Sequence, residues 1–225
     1  MFKTRFSLFL LFLSLLSFTR TEEIRAQEYS VEKKDGPPVA DELSADFQKV
    51  FAENGIRVKR GSRTALELWL CKELTVSEDF TATTEMLYPF EPGQLIGLLH
   101  LPRRGSDFRD QTISSGWYTL RFGLQPVDGN HEGTSLTRDF LVLVNLEKDQ
   151  VGKEWDAKTL ATVSAEAAGS THPAMMCLQK PTEGDDTAIR HNESRDWWIL
   201  HTIGKKAGKG EPLAIDLIAV GHADE

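Results

Sequence analysis

The stretch 116–124, Gly116-Trp117-Tyr118-Thr119-Leu120-Arg121-Phe122-Gly123-Leu124, decides the fold class. Tyr118, Leu120, Phe122 and Leu124 alternate with Trp117, Thr119, Arg121 and Gly123, the period of two that sends successive side chains to opposite faces of a strand. Outward from it, Phe140, Val142, Val144 and Leu146 repeat the alternation, and Leu66, Leu68 and Leu70 alternate with Glu67, Trp69 and Cys71. Residues 95–101 are almost continuously apolar, as in a strand covered on both faces. Runs at 174–178, 197–203 and 213–220 complete the set, with weaker strands at 56–59 and 108–113. Turn chemistry separates them: Glu91-Pro92-Gly93, Ser115-Gly116, residues 126–129, Gly184-Asp185-Asp186 and residues 205–211.

Two segments carry helical spacing. Leu43, Phe47, Val50 and Phe51 lie at i, i+4, i+7 and i+8, which predicts a helix over 41–53 capped by Asp41 or Ser44 and stopped by a left-handed Gly55. Residues 158–168 form the second, shorter candidate. Many strands without repeated β-α alternation predict an all-β fold, an antiparallel β-sandwich or open barrel with a short N-terminal helix. The expected core is Leu66, Leu68, Leu70, Leu99, Tyr118, Leu120, Phe122, Phe140, Val142, Val144, Trp198, Ile215 and Leu217.

The N-terminus has the layout of a secretory signal peptide. Lys3 and Arg5 give a positive start, residues 6–18 an apolar run shorter than the roughly 20 residues a span needs, and Ile24-Arg25-Ala26 a cleavage point before Gln27. The expected organisation is a signal peptide at 1–26, a flexible linker at 27–40 containing Pro37-Pro38, and one domain at 41–225. Export to the periplasm or the extracellular space follows, with no membrane span after cleavage; a segment that stays attached as an anchor is the alternative.

The chain has 26 basic and 34 acidic residues, a net charge of −8. Loss of residues 1–26 removes four cations and two anions, leaving 22 and 32, a net of −10. This acidity argues against nucleic acid and anionic lipid surfaces as partners. Two cysteines, Cys71 and Cys177, permit one disulfide in an exported protein. It would close a loop of roughly a hundred residues, worth about 4–5 kcal/mol in the chain-entropy picture. Two separate buried thiols are the alternative, since both cysteines lie in apolar runs.

Familiar catalytic motifs fail on spacing. His131-Glu132 lacks the second histidine of H-E-x-x-H, with Ser135 in its place. Residues 204–209, GKKAGK, are too short for a phosphate loop and read as a hairpin turn. Asn192-Glu193-Ser194 is a glycosylation sequon only where the host glycosylates that way. Functional side chains concentrate instead in residues 126–139, PVDGNHEGTSLTRD, a loop held between two strong strands. Asp128, Asn130, His131, Glu132, Arg138 and Asp139 offer oxygens, an imidazole and a guanidinium, and His172 is the best second imidazole. These seven are the candidate ligand-binding residues, with ordinary turn composition and solvated surface as the plainer account of them. No catalytic residue and no cofactor is indicated by any motif.

The segments Ser115-Gly116-Trp117-Tyr118-Thr119-Leu120-Arg121, Asp128-Gly129-Asn130-His131 and Thr137-Arg138-Asp139-Phe140-Leu141 resemble uncharacterised exported bacterial proteins built around a G-x-Y-[ST]-L strand. The resemblance implies export and a β-sandwich of unknown function, and it transfers no activity. Three readings of function follow. The first is a non-catalytic exported module that binds an envelope or extracellular ligand such as glycan, or a partner protein. The second is a metal-assisted hydrolase with its site at the 128–139 loop and His172. The third is a purely structural envelope protein. Trp69, Trp117 and Trp197-Trp198 are the tryptophans on which a sugar ring would stack.

Overall fold

A computed structural model describes residues 28–127 and 137–223. Ten of its strands form one antiparallel sheet: β1 (Tyr29–Lys34), β2 (Gly55–Arg60), β3 (Arg63–Leu70), β4 (Leu95–Leu101), β7 (Gly116–Leu124), β8 (Asp139–Asn145), β9 (Met175–Gln179), β10 (Ala188–Asn192), β11 (Trp197–Lys205) and β12 (Pro212–Val220). Two short strands, β5 (Gly105–Ser106) and β6 (Thr112–Ile113), pair apart from it. The helices are α1 (Ala45–Val50) and α2 (Ala157–Ala168). The strand order β1-β2-β3-β4-β7-β8-β9-β12-β11-β10 curls until its two edges meet, where Tyr29 of β1 packs on Trp198 beside β10. The result is a nearly closed barrel, the open-barrel form of the expected all-β fold. Among the described residues no helix is long and apolar enough to cross a membrane.

Register sets the interior. Leu68 faces Leu99, which faces Tyr118; Leu120 faces Leu143; Phe122 faces Leu141, which faces Met176; Leu178 faces Leu217, which faces Leu200. All of these side chains belong to one buried cluster that fills the barrel. Phe140, Val142 and Val144 are buried as expected, but on the outer face. There they join two smaller clusters, one beneath α2 with Trp155 and Leu160, the other with Phe108, Cys177 and Trp197. Residues of β8 are therefore covered on both sides.

Helix α2 forms because its ends are satisfied. The Asp156 carboxylate accepts from Thr159 N–H at 2.9 Å, and Gly169, at φ 59°, closes the C-terminus in the left-handed conformation. Trp155 before the cap and Leu160 one turn in share a cluster, the arrangement of a hydrophobic staple. The segment leading into α2 is clamped to the barrel by a buried ion pair. Arg121, on the outer face of β7, reaches Asp149 through Nε at 2.7 Å and Nη2 at 2.9 Å.

Several expectations are corrected. The linker at 27–40 contains β1, held by six register pairs to β2 and by Glu32 bridging Arg57 and Lys59. Helix α1 is shorter than 41–53: Ser44 caps it, and Phe51 already pairs with Cys71 in a bridge. Gly55 opens β2 and is no helix stop; a Cβ there would lie 2.6 Å from Trp69 Cε2 and 2.9 Å from the Leu68 carbonyl. Residues 108–113 are strand only at Thr112–Ile113. The Asp107 carboxylate instead folds the preceding turn by accepting from Arg109 and Gln111 N–H. Trp197 is the buried member of the tryptophan pair and Trp198 the half-buried one, because Trp197 is covered outside the barrel by Phe108, Ile199 and Ile218, whereas Trp198 lies against Tyr29 where the two sheet edges meet. Cys71 and Cys177 are two buried thiols in different clusters, not a bridge.

Candidate ligand-binding cavity

The outer face of the sheet and α2 do not close on each other along their whole length. Gly123, Phe140 and Val142 of β7 and β8, with Met175 of β9, form a floor. Ala157, Leu160 and Ala161 of α2 form the roof. Where Ala157, Ala161 and Gly123 stand, larger side chains would fill the gap. A cavity of about 580 Å³ remains, within the range of roughly 300–1,000 Å³ typical of ligand pockets.

Phe108 closes one side, and its turn is fixed from three directions. Asp107, 3 % exposed, accepts from Arg109 N–H, Gln111 N–H and side chain, and Met175 N–H at 2.8–3.0 Å. Phe108 N–H donates to the Met175 carbonyl, and the Phe108 carbonyl accepts from Ala223 N–H. The turn carrying His172 is tied to the same segment: Gln111 Nε2 donates to the Pro173 carbonyl, and Ser170 Oγ bonds Gln111 Oε1. Arg109 and His172 are thus held against one opening.

The predicted site residues divide. Arg138 and His172 both line the cavity, as does Pro126 from the first part of the loop. Arg138 Nε donates to the Gln125 carbonyl at 2.9 Å, and Gln125 N–H returns a bond to the Arg138 carbonyl. Asp128, Asn130, His131 and Glu132 lie outside the described residues. Asp139 is not placed to meet a ligand. It is fully buried, and its two carboxylate oxygens accept from Leu87 N–H at 2.9 Å and Tyr88 N–H at 3.0 Å. Burial raises its carboxyl above the ordinary range, partly offset by those two N–H groups. Its role is to fasten the 85–90 segment to the head of β8. Arg109 is the functional candidate that sequence reading missed, since nothing in residues 107–111 marks a turn that folds onto β9.

Other titratable groups are engaged in structural ties. Asp216, with a fully buried side chain, accepts from His201 Nδ1 at 2.5 Å, Arg190 at 2.6 Å and Thr182 Oγ1 at 3.1 Å, which pins the 182–186 loop to β12. On the opposite side of the barrel, Glu32, Arg57, Glu67, His100 and Trp117 lie side by side on five adjacent strands. Burial pushes the Glu67 carboxyl up, but bonds from His100 and Arg57 outweigh it and hold the group below its usual value. Among the described residues no three His, Cys, Asp or Glu side chains group as a metal site. Burial pushes the Cys71 thiol up to about 12, which disfavours the thiolate.

No protein-family model, no curated protein and no solved structure matches this chain.

Proposed function

We propose that this chain is an exported, non-catalytic binding module whose ligand occupies the cavity between α2 and the outer face of β7 and β8. The carrying observation is the cavity itself: a mostly apolar cleft of about 580 Å³ that small residues keep open between two packed elements. Its lining is mostly apolar, which suits the burial of an apolar ligand. Pro126 and Arg138, from the loop that the sequence singles out, also line it. Export rests on the leader at 1–26; cleavage after Ala26 leaves β1 whole, and the exported protein is expected to begin at Gln27 by intact mass.

Apolar molecules suit this site better than glycan does. Trp69 and Trp197 are 1 % and 3 % exposed, while Trp117 stacks on His100 and Trp198 on His191. The uncharged probe N-phenyl-1-naphthylamine tests the proposal. The native protein is expected to bind it saturably, one per chain, with enhanced fluorescence. Filling the roof by Ala161→Phe is expected to abolish that binding while the protein stays folded. Equal binding by the filled variant, or none by the native protein, refutes the site.

A further inference from the structure

Resting on the cavity as the binding site, we infer that its ligand is an anionic amphiphile: an apolar body between α2 and the sheet, and one negative head group at the opening, met by Arg109, Arg138 and His172. The charge of the lining carries this. Acidic residues outnumber basic ones 34 to 26 along the chain, yet among the described residues the ionisable side chains of the lining are two arginines and one histidine, with no carboxylate. The acids beside them in sequence are turned elsewhere. Asp107 and Asp139 direct their oxygens to backbone N–H groups, and Asp110 is exposed and outside the lining.

Exposure orders the same residues along the cavity. Phe140, Val142 and Leu160 are buried, whereas Arg109 and His172 are exposed and Arg138 is intermediate. The buried lining is therefore apolar, and the nitrogen donors stand among the more exposed lining residues with Pro92, Pro126 and Ala157, which is the polarity of an amphiphile entering tail first. The bond from Arg138 Nε to Gln125 fixes the plane of a guanidinium whose Nη1 contacts Met86 Sδ at 4.0 Å and whose Nη2 carries two further N–H donors suited to a carboxylate or phosphate. Size agrees. A cavity of about 150 Å³ takes one benzene ring, so 580 Å³ has room for the chain of a medium-length fatty acid. Carboxylate and phosphate monoester heads share this chemistry.

The test is calorimetric titration of the mature protein, below micelle-forming concentrations, with four ligands of one chain length: dodecanoate, dodecyl phosphate, dodecanol and dodecyltrimethylammonium. The expected result is that at least one anion binds on the order of tenfold or more tighter than the alcohol, as charge-assisted hydrogen bonds provide, and that the ammonium binds weakest. Which anion binds tighter identifies the head group. In Arg109→Gln/Arg138→Gln, the anion's advantage over the alcohol is expected to vanish while alcohol binding persists. Equal binding of anion and alcohol, or tight binding of the ammonium, overturns the inference and leaves the cavity as an uncharged apolar site. No binding of any of the four, or anion binding that survives Ala161→Phe, overturns the inference and the cavity together. The ligand series on the native protein decides the matter even if the double variant fails to fold.

Discussion

Replacing Arg121 by Met should destabilise the protein by about 3–5 kcal/mol, because it strands a buried carboxylate. Arg121 is 3 % exposed, and the Asp149 side chain is fully buried. All five guanidinium N–H donors are used: Nε and Nη2 on Asp149, Nη1 on the Gly93 carbonyl at 2.7 Å and Lys153 carbonyl at 3.2 Å, and Nη2 again on the Gln150 carbonyl at 3.1 Å. Methionine fills much of the volume but restores none of these bonds. Asp149 would keep Thr119 Oγ1 and Trp155 Nε1 as donors, which do not neutralise it. In a domain of this size the loss corresponds to a fall in Tm of roughly 6–20 °C. Urea unfolding followed by far-UV circular dichroism measures it, with the midpoint moving at constant slope. The double variant Arg121→Met/Asp149→Leu removes both charges and should recover most of the loss. A single-variant cost below about 1 kcal/mol, typical of surface changes, would refute the claim that this pair clamps the segment leading into α2. So would a double variant no more stable than the single one.

Asp139→Ala should destabilise by about 2–4 kcal/mol in urea unfolding, since it leaves two buried N–H groups at Leu87 and Tyr88 without their acceptor. Because burial raises the Asp139 carboxyl above 3.8, the folded state holds that proton more tightly than the unfolded one. The group's stabilisation is therefore complete below 3.8 and lost as pH rises through the raised value; that downward slope should be absent from the pH profile of Asp139→Asn. Gly55→Ala should cost about 1–3 kcal/mol, because the added Cβ meets Trp69 and the Leu68 carbonyl; a neutral effect in thermal unfolding would mean β2 and Trp69 are not so close. Cys71 and Cys177 are both buried, so Ellman's reagent at pH 8 should leave the native protein unlabelled and release two equivalents after denaturation. Zero equivalents in non-reducing denaturant would indicate a bridge instead.

The barrel was legible where one face of a strand is apolar and the other is not, and where apolar runs are long. Residues 116–124 and 66–70 carry their register in the alternation itself. Strand β8 was found but its partition was not: Phe140, Val142 and Val144 lie outside the barrel under other elements, and continuous burial erases the periodicity that would have said so. Strand β1 was missed because only Tyr29 and Val31 are apolar in it, and its hold on β2 comes from backbone pairing and the Glu32 ion pairs. The burial of the Trp197-Trp198 pair was misjudged because Trp197 is covered outside the barrel by Phe108, a contact distant in sequence, while Trp198 lies at the meeting of the sheet edges. At the site, Arg138 and His172 were legible as polar groups beside strands. The cavity between them was not, since it is made by Gly123, Ala157 and Ala161, residues defined by what they fail to fill. Asp139 was misjudged because its partners, the Leu87 and Tyr88 backbone, lie some fifty residues away in sequence.

Two adjacent methionines give the most direct test of the cavity as the binding site. Met175 lines it, whereas Met176 is in the buried cluster inside the barrel. With ¹³C-methyl methionine in the mature protein, titration with N-phenyl-1-naphthylamine should shift the Met175 methyl resonance progressively to saturation, and the Met176 methyl should hold its position. A saturable shift of Met176 alone, or of neither methyl while the probe binds, would place the ligand elsewhere and contradict the account.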